Sequence, residues 1–201
     1  LKKEFFISTP QIVSQEASSD GTKKILIELH DGNCIESVLI PEEDRLTLCI
    51  STQVGCPLDC KFCMTGKIGF VRNLRFSEMA EQVFAGQSLL SDNQKITNIV
   101  LMGMGEPLLN YDEVIRFLNI ATDPKGFAFA VRRITVSTAG IVPMIEKLGR
   151  ETKANLAVSL NAATDEVRTK LMPINKKYPL KELLEVCRRY PMKRNRRITF
   201  E

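Results

Sequence analysis

Short apolar runs alternate with amphipathic segments from residue 45 to residue 201. The runs are rich in aliphatic and β-branched residues, as expected of strands covered on both faces, and the segments between them space apolar residues as a helix does. This alternation predicts parallel βα units rather than a β-sandwich. The predicted strands cover residues 45–52, 95–102, 132–138, 155–160 and 196–201, and the predicted helices cover residues 76–90, 111–122, 141–151, 164–172 and 179–190.

A β-hairpin is predicted ahead of these units. Two partly alternating runs between Lys23 and Ile40 flank Asp31-Gly32, a dipeptide that tolerates the positive φ of a tight turn. Ser77 is the predicted N-cap of the first helix, because its hydroxyl can accept a backbone hydrogen bond. The predicted fold class is α/β, with residues 1–44 as an N-terminal hairpin extension and residues 45–201 as the core.

Composition limits the classes of protein that fit. The 201 residues suffice for one domain with a substantial core, and 44% hydrophobic and 26% charged residues match an ordinary globular protein. No apolar run approaches the roughly 18 residues of a membrane span, and no secretory signal opens the sequence, so a cytoplasmic location is expected. Six cysteines could form three disulfides in a secreted protein. Without an export signal, metal binding or catalysis explains clustered cysteines better.

Basic residues concentrate near the end of the sequence, although the net charge is only +4. Two further basic pairs are Arg132-Arg133 and Lys176-Lys177. A solvated face and a phosphate-binding surface both fit this pattern. The basic cluster consists of Arg188, Arg189, Lys193, Arg194, Arg196 and Arg197.

Four motifs with glycines or polar side chains fall at the carboxyl ends of predicted strands. The cysteines follow CIST, GMGEP follows IVLM, STAG follows ITV and SLNA follows NLAV. In parallel α/β barrels and sheets, ligands bind at this edge. The sequence therefore predicts one shared site.

Cys56, Cys60 and Cys63 form a C-x3-C-x2-C sequence. A closed structural zinc site needs four protein ligands, so a fourth would have to come from Cys49, His30 or elsewhere. An open zinc site with three ligands is another alternative, although such sites usually contain histidine and this chain has one. In a [4Fe–4S] cluster, three cysteines leave one iron free for a further ligand.

The cysteine spacing, together with GMGEP, resembles the signature of the radical S-adenosylmethionine (SAM) superfamily, in which the free iron is chelated by SAM. Longer stretches are similar to the RlmN/Cfr-type adenine methyltransferases, which act on carbon 2 or carbon 8 of an adenosine in 23S ribosomal RNA. These stretches are CISTQVGCPLDCKFCMTG, VLMGMGEPLLNYDEV, RRITVSTAGIVP and AVSLNAATDEVRTKLMPINKKYPL. The extended GMGEPLLN and PINKKYPL patterns favour the carbon-2 branch, which is also associated with transfer RNA. The resemblance covers nearly the whole chain and implies a partial (β/α)6-type barrel without its final strand.

The resemblance implies that the three clustered cysteines bind a [4Fe–4S] cluster and that residues of the other motifs bind SAM. The carboxylate of Glu106 can receive an ammonium group, and hydroxyl or amide groups can bind ribose or carboxylate oxygens. A helix cap is the alternative role for Ser137 and Thr138, because a helix follows them. The implied SAM-binding residues are Gly105, Glu106, Ser137, Ser159, Leu160 and Asn161.

Two further residues match catalytic positions of the family. Cys49 corresponds to a cysteine that resolves a covalent protein–RNA intermediate through a transient disulfide, and its alternative role is that of a small buried hydrophobe. Glu36 corresponds to the proton acceptor, whereas the sequence alone indicates only an exposed strand carboxylate. Cys34 and Cys187 match no motif and are predicted to be structural, and His30 is predicted to be a turn residue.

The implied reaction uses an electron from a donor such as flavodoxin or ferredoxin to cleave SAM to a 5′-deoxyadenosyl radical. A methyl group carried by a cysteine near the C-terminus of family members then becomes a radical that adds to adenine. That cysteine has no counterpart up to residue 201, so the chain is expected to be a fragment that is inactive alone. A monomer without membrane contact is expected. The alternatives are a radical SAM enzyme with another substrate and a metal-stabilised RNA-binding module without catalysis.

Overall fold

The computed structural model describes residues 10–192 and 196–201, so Lys193 and Arg194 of the basic cluster lie outside the described residues. No helix of the described part is long and apolar enough to cross a membrane. The strands are β1 (Gln11–Ala17), β2 (Lys23–Glu28), β3 (Cys34–Glu42), β4 (Arg45–Cys49), β5 (Gln53–Gly55), β6 (Phe70–Asn73), β7 (Asn98–Leu101), β8 (Ile134–Thr138), β9 (Asn155–Val158) and β10 (Thr199–Phe200). The helices are α1 (Met64–Ile68), α2 (Phe76–Ser88), α3 (Tyr111–Thr122), α4 (Val142–Glu151), α5 (Asp165–Leu171) and α6 (Leu180–Arg189).

Eight strands form one mixed sheet in the order β1-β2-β3-β4-β7-β8-β9-β10. The ladder from β4 through β7, β8 and β9 to β10 is parallel throughout, which confirms the predicted α/β class. All five strands predicted within residues 45–201 are shorter in the structure. The strand predicted over residues 45–52 ends at Cys49, because Thr52 donates its N–H to the Met104 carbonyl beyond the end of β7. The strand predicted over residues 196–201 is reduced to Thr199–Phe200.

The predicted hairpin is confirmed in β2 and β3, which pair antiparallel from Lys23 opposite Leu39 to Glu28 opposite Cys34. Strand β3 also pairs antiparallel with β4, so the hairpin and the parallel strands share one continuous sheet. The sequence analysis did not predict β1, which pairs with β2 at the outer side. Most residues of β1 are exposed, so it carries no apolar alternation that would indicate a strand.

Helix α2 starts with a different cap from the predicted one. Its N-cap is Arg75, and Ser77 lies inside the first turn. The Glu78 carboxylate accepts the Arg75 N–H at 2.8 Å, which satisfies one of the unpaired donors of the helix start. Arg72 on β6 donates two hydrogen bonds of 2.8 Å to the same carboxylate and a third, of 2.7 Å, to Asp31. These contacts join α2, β6 and the hairpin turn.

The hydrophobic core lies between the helices and one face of the sheet. Alternate strand residues supply it, including the fully buried Ile25, Leu48, Ile99 and Val136. Phe117 of α3 is also fully buried in this core. Burying a side chain of this size contributes about 1.5–3 kcal/mol relative to leaving it exposed, so the core fixes the strand ends that carry the motifs.

Strands β5 and β6 form a separate two-stranded ribbon on either side of the cysteine loop, residues 56–63. Gly55 has φ +74°, and a Cβ there would lie 1.7 Å from the carbonyl oxygen of Gly69. That carbonyl accepts the N–H of Cys56 at 2.9 Å. Glycine is therefore required where the ribbon closes and the cysteine loop begins.

Candidate active site

The carboxyl ends of the parallel strands and the cysteine loop surround a cleft of about 240 Å³. The structure thus brings the four sequence motifs to one place. Leu160, Asn161, Glu36 and Cys49 are predicted site residues that do not line the cleft. The predicted residues that do line it are Cys56, Cys60, Cys63, Gly105, Glu106, Ser137 and Ser159.

Backbone hydrogen bonds hold the cysteine loop in place. The Cys63 N–H donates to the Cys60 carbonyl at 3.0 Å, and the Lys61 N–H donates to the Leu171 carbonyl, at the end of α5, at 2.8 Å. All six cysteines of the chain are free thiols, and the three in the loop are half-buried. Burial, together with a smaller effect of the neighbouring thiols, raises the pKa of Cys60 to about 11. Burial also raises the pKa of Cys56.

The donor set of the cleft fits an iron–sulfur cluster. Within the described ranges, no three His, Cys, Asp or Glu side chains lie close enough together to hold a single metal ion. Neither proposed fourth zinc ligand faces the cleft, since His30 Nδ1 lies 3.9 Å from Glu78 Oε1 and Cys49 is buried in the sheet. Three soft thiolates without a histidine suit a cluster in which each thiolate binds its own iron. The residues present therefore fit a [4Fe–4S] group with one open iron.

Glycines bring the GMGEP loop against the segment between β4 and β5. A Cβ on Gly103 would lie 2.8 Å from the backbone of Ile50, and one on Gly105 would lie 2.5 Å from the side chain of Gln53. Gly105 also has φ +98°, which favours glycine. The Gln53 side chain accepts the Glu106 N–H at 2.9 Å. This close packing places Glu106 at the wall of the cleft.

Glu106 is buried, with 2% of its surface exposed, and links two strand ends. One carboxylate oxygen accepts the Leu108 N–H at 3.0 Å, and the other accepts the Ala139 N–H at 2.7 Å. Burial raises the pKa of Glu106 to about 7, against the opposing effect of these hydrogen bonds. A carboxylate oxygen has two lone pairs, so each oxygen retains capacity for another donor from the cleft.

The two serines of the cleft converge on Glu201. Ser137 and Ser159 donate their hydroxyls to Glu201 Oε2 at 3.1 and 3.5 Å. Neither Ser137 nor Thr138 caps α4, whose N-cap is Ile141, so the helix-cap alternative is wrong. Thr138 Oγ1 instead accepts the N–H of Gly140 at 3.0 Å.

Glu201 is a cleft residue that the sequence analysis missed. The signal for it was present, since Glu201 is the last residue of the fifth predicted strand and lies at the same edge as the four motifs. Its backbone carbonyl accepts the N–H groups of Leu160 and Asn161 at 2.8 and 2.9 Å. Asn161 has φ +56°, and its side chain donates to the sulfur of Met172 at 3.5 Å. Leu160 and Asn161 therefore support the cleft without lining it.

Arg168 on α5 is a second residue that the sequence analysis missed. Its side chain is fully buried and donates to four oxygens that belong to no carboxylate. An arginine on an amphipathic helix is normally expected on the solvent-exposed face, so nothing in the sequence marked Arg168 as buried. Its acceptors are Leu160 O at 3.1 Å, Asn175 Oδ1 at 2.8 Å, Ala139 O at 2.6 Å and Ser159 O at 3.1 Å.

Cys49 and Glu36 share one face of the sheet. Cys49 pairs with Val38 across β3 and β4, and Glu36 lies two residues from Val38, so the two are diagonal neighbours about 7–8 Å apart. Burial raises the pKa of Cys49 to about 11, while a hydrogen bond from the Met102 backbone opposes this rise. Glu36 is half-exposed, and Lys24 Nζ lies 3.4 Å from its carboxylate. Since Met102 lines the cleft, Cys49 lies directly behind the lining.

A family model described as the radical SAM superfamily matches residues 50–199. The chain belongs to the radical SAM superfamily. The matched range contains the cysteine loop, GMGEP and both cleft serines, so it spans most of the radical SAM cleft described above.

Relatives of this radical SAM chain carry the name of a more specific enzyme. A protein of Geobacter sulfurreducens named dual-specificity RNA methyltransferase RlmN is 56% identical over 201 residues, which cover 100% of this chain and 55% of the relative. The protein of the same name from Desulfosudis oleivorans is 54% identical and covers 100% of this chain and 54% of its own length. The chain thus spans about half the length of the curated relatives it matches.

A solved radical SAM structure has the same fold. The crystal structure of a radical SAM methyltransferase from Sphaerobacter thermophilus matches with a TM-score of 0.93 and 44% sequence identity. The match covers 98% of this chain and 59% of that structure. The fold comparison therefore extends over the hairpin region as well as the parallel strands.

Proposed function

We propose that this chain is part of an RlmN-type enzyme that methylates carbon 2 of an adenosine in 23S ribosomal RNA and in transfer RNA. One observation carries the proposal: three thiols, a buried carboxylate and two serines meet in one cleft, in a chain 56% identical to a protein named dual-specificity RNA methyltransferase RlmN. The enzyme would act in the cytoplasm as a monomer and receive electrons from a flavodoxin or ferredoxin.

Cys56, Cys60 and Cys63 would hold a [4Fe–4S] cluster, and SAM would occupy the remaining cleft. When bound, the cluster supplies the electron that cleaves SAM reductively. The three thiols must lose their protons to become ligands, and burial opposes this loss at Cys56 and Cys60. Cluster assembly should therefore release protons and proceed better at mildly alkaline pH.

The chain's own polar groups would orient SAM. The Glu106 carboxylate would accept the ammonium group of the methionine part, which would also keep the carboxylate ionised despite its burial. The hydroxyls of Ser137 and Ser159 would donate to carboxylate or ribose oxygens. Gly105 would allow the backbone to approach the ligand, and Leu160 and Asn161 would support the cleft from behind its lining.

Glu36 and Cys49 would act on the RNA adduct from their shared face of the sheet. Glu36 would accept the proton that leaves the adenine carbon, and Cys49 would attack the sulfur of the methyl-carrying cysteine to release the product. None of the six cysteines described here is assigned the methyl-carrying role. The 201 residues alone are therefore expected not to methylate RNA.

Anaerobic reconstitution with iron and sulfide tests the cluster part of the proposal. We expect about four irons per chain, with the visible absorbance of a [4Fe–4S] cluster that changes on addition of SAM. Cys60→Ala should lose most of the iron, whereas Cys34→Ala, a change of an exposed cysteine outside the cleft, should retain it. One tightly held zinc ion and no absorbance change with SAM would refute the cluster assignment.

RNA modification tests the substrate. The enzyme at the full length of its relatives is incubated with ribosomal and transfer RNA, and the nucleosides are analysed by mass spectrometry. The proposal predicts 2-methyladenosine in both RNAs. A product methylated at carbon 8 would assign the chain to the other branch, and SAM cleavage without RNA modification would indicate a different substrate.

A further inference from the structure

Arg168 carries a buried positive charge without a carboxylate partner. Its side chain has no exposed surface, and no ion pair of the described residues includes it. Buried charges in proteins are normally paired, since an unpaired one costs several kcal/mol of solvation. The neutral oxygens around Arg168 accept four hydrogen bonds from it, and a carboxylate is reached indirectly, because Asn175 also donates to Asp165 Oδ1 at 2.9 Å.

The position of Arg168 links it to the cleft. Two of its acceptors, the carbonyls of Ala139 and Ser159, belong to residues in the cleft wall. Its helix, α5, also anchors the cysteine loop, because the Leu171 carbonyl accepts the Lys61 N–H at 2.8 Å. The guanidinium therefore lies against the backbone of the cleft wall, on the helix that also holds the cysteine loop.

The helix of Arg168 contacts the cysteine loop. Leu171, three residues after Arg168 on α5, accepts the N–H of Lys61, and Lys61 lies between Cys60 and Cys63. Burial lowers the pKa of Arg168 itself, and the Asp165 charge opposes that change. A guanidinium remains protonated in proteins, so the positive charge is permanent.

We propose that Arg168 is a positioning residue for the cluster site, which holds the ends of β8 and β9 and supplies the positive charge that balances the thiolate-bound cluster. The inference rests on the proposed function. A [4Fe–4S]2+ core with three thiolates carries one net negative charge. One electron from a flavodoxin- or ferredoxin-type donor raises this to two. A fixed positive charge behind the cleft wall stabilises the reduced form more, so it makes the reduction potential less negative.

A set of charge variants tests this role. Arg168→Gln removes the charge and keeps a side chain that can donate to carbonyls, whereas Arg168→Lys keeps the charge but loses the guanidinium fork. Asp165→Asn retains the oxygen that accepts the Leu180 N–H at 2.8 Å and removes a negative charge that acts on Arg168. Arg150→Gln, on an exposed arginine of α4 paired with Glu146, is the matched control.

The readout is the midpoint potential of the reconstituted chain, from a redox titration followed by electron paramagnetic resonance. Iron content and thermal melting are measured on each variant beforehand. We expect a more negative midpoint in Arg168→Gln, a less negative one in Asp165→Asn, and wild-type values in Arg168→Lys and Arg150→Gln. A merely structural role would lower the melting temperatures of both Arg168 variants without this pattern of potentials.

The outcomes separate the inference from the proposed function. A wild-type chain that takes up no four-iron cluster refutes the proposed function. A loaded Arg168→Gln chain with the wild-type midpoint overturns the role of Arg168 while the cluster assignment stands. If Arg168→Gln does not fold, an unchanged midpoint in Asp165→Asn overturns it instead.

Discussion

Glu106 contributes to two neighbouring strand ends and to the cleft at once. Its two carboxylate oxygens accept backbone N–H groups that follow β7 and β8, and burial raises its pKa to about 7. A carboxylate with a raised pKa binds its proton more tightly in the folded chain than in the unfolded one. The protonated carboxyl therefore stabilises the folded chain. This stabilisation is fully present at pH values below the unfolded pKa and is lost as pH rises through the folded pKa.

Glu106→Gln should therefore flatten the pH dependence of stability. In the ligand-free wild type, the free energy of unfolding should fall by up to roughly 3 kcal/mol between the unfolded pKa of 4.5 and the folded value of about 7. The glutamine does not titrate, so the difference in the free energy of unfolding between the variant and the wild type should vary with pH over this window. Urea denaturation at a series of pH values measures both curves, and parallel curves would show that Glu106 does not titrate in this range.

At the scale of elements, the parallel region was predictable because its strands are short apolar runs and its helices space apolar residues with the helical period. The edge at which β4, β7, β8 and β9 end was predictable too, since it follows from parallel topology. Strand β1 and helix α1 were not, because one is exposed and the other has five residues. Arg168 could not be found either, because its burial depends on loops that meet only in three dimensions.

The β5–β6 ribbon depends on Gly55. Gly55→Ala should cost about 2–4 kcal/mol, since the methyl group would overlap the Gly69 carbonyl and the residue would keep a left-handed backbone. Gly32→Ala is the matched control, because Gly32 has φ +79° but no atom within 4 Å of the added Cβ. It should cost only about 1–2 kcal/mol.

Thermal melting and iron uptake compare the two glycine variants. Gly55→Ala should melt lower than Gly32→Ala and take up less iron. The added methyl group would displace the Gly69 carbonyl, which accepts the N–H of Cys56 at the start of the cysteine loop. Equal melting temperatures, together with full iron uptake in both variants, would contradict this account of the ribbon.

At the scale of the whole molecule, one hydrophobic core holds the strands that carry all four motifs. Phe117→Ala should destabilise the chain by about 3–5 kcal/mol, because Phe117 is fully buried and the cavity would not refill. Phe84→Ala should cost about 1 kcal/mol, since Phe84 is 58% exposed and its ring contacts that of Phe127. Chemical denaturation of both variants gives the comparison, and equal losses would contradict the assigned core.

The central claim is that the cysteine loop and the GMGEP loop form one radical SAM site, in which three thiolates bind a four-iron cluster and leave one iron open for SAM. Reductive cleavage of SAM by the reconstituted 201-residue chain tests this claim most directly. With dithionite and without RNA, the account predicts 5′-deoxyadenosine and methionine in equal amounts, and little of either from Cys60→Ala. A chain that holds four irons, binds SAM and yields no 5′-deoxyadenosine would contradict it.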